Sequence, residues 1–145
     1  MGDADQVTFS ELSENDHSNL ASKWFTIQNM IKEKYDYELR ESENDLPYLQ
    51  RVIDDKLLDP EDWNAMKRLG VAFGRALAKA VDGLDWWILE DKFGRDIVLR
   101  YQQTSLQFNV LYVIGRRLNK GEAVDVKKLY KTLVKQARKY RDVVE

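Results

Sequence analysis

Residues 69–101 read LGVAFGRALAKAVDGLDWWILEDKFGRDIVLRY, and no other stretch restricts the fold as much. Leu69, Phe73, Leu77 and Ala80 recur with the period of a helix, while Gly70, Gly74 and Ala78 form a second stripe four residues apart. A glycine inside a helix costs ~1 kcal/mol against alanine, so two of them one turn apart imply a backbone or ring packed closely on that side. Trp86 and Trp87 are the candidate rings. Gly83 suits a left-handed helix end, and the apolar run LDWWILED that follows reads as a strand.

A turn at residues 92–95 (KFGR) would fold this strand back on DIVLRY as a β-hairpin, pairing Glu90 with Ile97, Leu89 with Val98 and Trp87 with Arg100. Alternation places Trp86, Ile88, Glu90, Ile97, Leu99 and Tyr101 on one face, and Trp87, Leu89, Asp91, Asp96, Val98 and Arg100 on the other. A lone hairpin is marginal in water, so helices are expected to cover one face and part of the other.

The remaining chain supplies those helices. Residues 1–17 lack apolar periodicity and read as a mobile acidic leader whose removal costs little. The domain proper is expected over residues 18–145. With Ser18 as N-cap, Leu20, Trp24, Ile27, Ile31 and Tyr35 draw the stripe of a first helix ending near Leu39. Leu46-Pro47 opens a second, with Leu49, Val52, Ile53 and Leu57. Asp59-Pro60-Glu61-Asp62 opens the glycine-bearing third. Residues 102–107 read as a loop or a short third strand. Phe108, Leu111, Ile114 and Leu118 mark a fourth helix, and a fifth starts after Asp125, with Val124 stapled on Leu129. The expected fold is therefore α+β and mostly helical, with about five helices around one antiparallel hairpin.

Several activities lack their chemistry here. The chain has no cysteine, which removes disulfides, thiolate catalysis and cysteine-held metals and leaves the cytoplasm as the default compartment. His17 is the one histidine and lies in the polar leader, away from any partner for a triad or zinc site. Thr104-Ser105 has no adjacent base, and LGVAFG lies within a helix pattern rather than after a strand, so no phosphate loop or nucleotide cofactor is implied. No apolar run reaches the ~20 residues that span a bilayer. Gln6 stands where a myristoylation motif after Gly2 requires Ser or Thr.

LGVAFG, DWW with its acidic pair, FGRD, VLRYQQTS and GEAVDVKKLY together resemble a small bacterial domain family without an assigned activity, over about residues 63–133, leaving the first two helices outside. That resemblance implies no catalytic residues, cofactor or metal.

Three functional readings follow. The hairpin concentrates aromatic, Arg and acidic side chains of the kind that carry interface energy, and Trp87, Glu90, Asp91, Phe93, Arg95, Asp96 and Arg100 are the candidate partner-binding set. A non-catalytic protein-binding module of this size and character would suit an immunity protein that neutralises a toxin. Alternatively, Glu90, Asp91 and Asp96 would form a metal or acid/base site if they converged. The last helix carries Lys127, Lys128, Lys131, Lys135, Arg138, Lys139 and Arg141, which would suit nucleic acid, against an isoelectric point near 5.6.

Overall fold

A computed structural model describes residues 6–144; Gly2, Asp3 and Asp5 lie outside them. The fold is α+β, but its sheet has four strands rather than two. In order come β1 (Thr8–Ser10), α1 (Glu14–Tyr35), a 3-10 turn (Glu43–Asp45), α2 (Leu46–Asp54) and α3 (Trp63–Ala80). There follow β2 (Leu84–Asp91), β3 (Gly94–Tyr101), β4 (Gln107–Phe108), α4 (Val110–Asn119) and α5 (Val126–Val144). The strands lie in chain order and all pair antiparallel.

The expected unstructured leader is corrected from residue 8 onward. Thr8, Phe9 and Ser10 pair with Glu90, Leu89 and Ile88, adding an edge strand to the hairpin. Ser13, not Ser18, caps α1. Its hydroxyl accepts from the Asp16 N–H at 3.1 Å, and the Asp16 carboxylate accepts from the Ser13 N–H at 2.9 Å. This reciprocal box satisfies two backbone donors that a helix start leaves open. Similarly, Asp62, the last residue of the Asp59-Pro60-Glu61-Asp62 opening, caps α3, accepting from the N–H groups of Asn64 and Ala65. Phe108, expected to begin the fourth helix, instead pairs with Leu99 in β4.

The core forms around α3. Leu69, Phe73 and Leu77 have no solvent exposure, and they pack with Ile27 and Ile31 of α1, Leu49 and Val52 of α2, and Ile114 of α4. The glycine stripe works as close approach, with one of the two expected rings, that of Trp86, at Gly74 and a backbone in place of a ring at Gly70. A Cβ on Gly70 would lie 2.6 Å from the Cα of Leu111 and from the Val110 carbonyl oxygen, so the backbone of α4 sits against it. At Gly74 the neighbour is the Trp86 ring, 2.6 Å from where a Cβ would sit, with Val110 beside it. Trp87 points to the other side of the sheet.

Asp45 is completely buried and anchors the turn before α2. It accepts from the Tyr37 hydroxyl at 2.8 Å and from the Arg40 N–H at 2.9 Å. A buried carboxylate needs such donors, and here a chain reversal supplies them.

Candidate functional site

The hairpin turns in two residues, Lys92 and Phe93, with Asp91 opposite Gly94 and Trp87 opposite Val98. The expected four-residue turn would have shifted the register by two. Because side chains alternate with a period of two, that difference leaves every residue on its expected face. Leu84, Leu99 and Tyr101 join the main core, and Trp86 and Ile97 pack against it, so this face is the inner one. Trp87, Leu89 and Val98 stand outside that core, on the outer face.

The outer face is organised around Arg100. Its guanidinium carbon lies 3.8 Å from the centre of the Phe9 ring and 4.8 Å from that of Trp87. Its Nε donates to the Thr104 carbonyl at 2.6 Å, and burial lowers its pKa from the ordinary value. The cation therefore serves as filler between two rings, and Val98, opposite Trp87, is fully buried. Phe9→Ala removes one side of the sandwich and the edge strand's only aromatic. It is expected to cost about 1–2 kcal/mol in chemical denaturation, combining the cation–ring attraction with lost apolar burial. Unchanged stability would mean that β1 is an ornament of the edge.

At the tip, Phe93 is 87% exposed, and the Asp91 carboxylate accepts its N–H at 2.8 Å, which fixes the turn. The Lys92 ammonium lies 5.3 Å from the centre of the Phe93 ring. Thus Trp87, Asp91, Asp96 and Arg100 share the outer face, with Phe93 at its end.

Two candidates separate from that group. Arg95, expected in the turn, is a strand residue opposite Glu90 on the inner side. Its two terminal nitrogens donate to the two Asp16 oxygens at 3.0 and 2.7 Å, a bidentate pair between β3 and the first turn of α1. The Arg95 guanidinium and the Ser13 donors hold the Asp16 carboxyl far below the usual carboxylate range, and Asp16 in turn raises Arg95. The candidate set omits Asp16, although Ser13-x-x-Asp16 carries the spacing of a capping box.

Glu90 also falls on the inner side, opposite to Asp91 and Asp96, so the three carboxylates do not converge as the metal or acid/base reading requires. Among the described residues no group of three or more His, Asp or Glu is placed to hold a metal ion. Thr104 donates its hydroxyl to the Tyr101 carbonyl at 2.7 Å, closing the turn between β3 and β4. The basic residues of the expected fifth helix lie on α5, outside the hairpin, and no described helix is long and apolar enough to cross a membrane.

No curated protein matches this chain. A protein from Bacteroides thetaiotaomicron, with a crystal structure at 1.50 Å resolution, shares the fold with a TM-score of 0.82. The likeness covers 92% of this chain at 17% identity, and the chain spans about half, 49%, of that protein's chain. At that identity the likeness speaks for the fold alone. The model of a domain family of unknown function, DUF3806, matches residues 45–130, which takes in α2 as well as every segment that carries the resemblance, and the chain belongs to that family.

Proposed function

We propose that this domain is a non-catalytic protein-binding module that grips its partner with the outer face and tip of the β2–β3 hairpin. The observation that carries the reading is Phe93, a large apolar ring 87% exposed at the end of a half-buried aromatic face. Exposed rings continuous with an apolar face are unusual away from binding surfaces, and aromatic anchors are where interfaces concentrate their energy.

The charges around this face suggest the kind of partner. Arg95 is committed to Asp16, and Arg100 lies between two rings. Asp85, Asp91 and Asp96 remain on the outer side and Glu90 at the hairpin's end, which favours a partner that brings an apolar pocket with a basic rim. Neutralisation of a toxin is the narrower form of this proposal, and co-expression with a toxin encoded beside the gene tests that form.

Affinity capture from the source cell, with wild-type and Phe93→Ala proteins as parallel baits, tests the broader form. Phe93→Ala leaves the fold intact, within about 0.5 kcal/mol, because the ring is in solvent. The expected result is a protein retained by the wild type and depleted at least tenfold on the variant. Equal retention on both baits places the interface elsewhere. Arg95→Glu is a poor probe of the same face, since it strips Asp16 of its partner.

A further inference from the structure

A groove of about 900 Å³ runs between α5, the C-terminal end of α3 and the 3-10 turn, away from the hairpin. Its floor is apolar, with Ala76, Tyr130 and Val134 buried, and Val143 lies exposed at its mouth. Its walls are cationic: Lys79 from α3 faces Lys131, Lys135, Arg138 and Lys139 from α5, against Glu43 and Asp142. None of these four lysines forms an ion pair within the described protein.

The α5 sequence makes this arrangement unfavourable unless something fills it. Lys127, Lys131, Lys135 and Lys139 recur four residues apart, so each repels the next along one helix face, and α5 holds seven Lys or Arg against the single acid Asp142. An anionic occupant relieves that repulsion, and the apolar floor gives it something to bury. Phosphate tracking wants stacking rings instead, and the groove's one ring, Tyr130, is buried with its edge toward Phe73, 6.5 Å between centres.

We infer that this groove docks an acidic, amphipathic segment of a partner protein, with carboxylates on the lysines and apolar side chains on Tyr130 and Val134. From Tyr130 to Val143 the α5 wall is about 20 Å long, which matches some 13 residues of helix. The occupant is thus a short helix lying along α5, in the manner of helix-in-groove recognition.

The probe is a fluorescein-labelled 14-residue helical peptide with Glu at every fourth position and Leu on the adjoining stripe, read by anisotropy. A scrambled peptide of the same composition and a 12-nucleotide single-stranded DNA are the comparators. Binding to the wild type is expected to weaken tenfold or more with Lys131→Glu/Lys135→Glu, and separately with Lys79→Glu on the opposite wall. Lys32→Glu on α1, outside the groove, is expected to change nothing, and the scrambled peptide to bind at least tenfold more weakly. All the altered side chains are exposed, so melting curves should match the wild type. No binding, equal binding of the scrambled peptide, or indifference to both groove variants overturns the inference. DNA binding tighter than the peptide also overturns it, as does a protein dimer in sedimentation that Lys131→Glu/Lys135→Glu dissolves, which assigns the groove to a second copy.

Discussion

Gly70→Ala is expected to lower the stability of this domain by about 2 kcal/mol and its melting temperature by roughly 4–8 °C. The added methyl would sit 2.6 Å from the Leu111 Cα, 2.6 Å from the Val110 carbonyl oxygen and 2.9 Å from that of Leu111. All three are backbone atoms, which cannot swing aside as a side chain can, so α3 and α4 must part. Overpacking of this kind costs ~3 kcal/mol at the upper end of its usual range, and the better helix propensity of alanine returns ~1 kcal/mol. Gly74→Ala is the control. Its methyl would meet the ring of Trp86 and the Cγ2 of Val110, which are side chains with freedom to adjust, so a loss of under ~1 kcal/mol is expected. Denaturation midpoints for the two variants decide the matter, and equal losses would contradict the backbone-contact account.

Asp16→Ala is expected to cost about 2–3 kcal/mol at neutral pH, since it removes a bidentate charge-assisted pair and half of the capping box. The effect carries a pH signature. The folded-state pKa of Asp16 is depressed, so its contribution is fully present above the unfolded carboxylate value of about 4 and is lost as pH falls from there toward the lower folded value. The stability gap between wild type and Asp16→Ala should hold steady from pH 7 to about 5 and narrow below about 4. A gap that stays constant into the acid range would mean that Asp16 acts through packing alone.

The faces of the hairpin were legible because alternation survives a two-residue error in the turn: Ile88 and Trp86 point inward and Trp87 and Leu89 outward under either register. Turn length itself was not legible, since Phe93 and Gly94 suit a tight turn and a wider one equally, and that error misplaced Arg95. β1 is illegible in the sequence for a different reason. Three residues in an acidic context have no periodicity to read, and Thr8–Ser10 becomes a strand through its pairing with Ile88, Leu89 and Glu90. Asp16 was hidden by position, because a cap that is local in sequence gains its second partner 79 residues away. The glycine stripe announces close packing and, through Trp86, the ring that fills it at Gly74, whereas the α4 backbone against Gly70 is a tertiary fact. Of the candidate binding set, the outer-face members were recoverable from strand parity. The role of Arg100 as filler depends on Phe9 arriving from the other end of the chain.

Binding of a protein by the hairpin's outer face and tip, as proposed, is open to calorimetric titration of the captured partner against wild type, Phe93→Ala and Trp87→Phe. The expected Kd is raised at least tenfold by Phe93→Ala, about 1.4 kcal/mol of binding energy, and raised measurably by Trp87→Phe, with both variants melting close to the wild type. A Kd unchanged by both substitutions would contradict it.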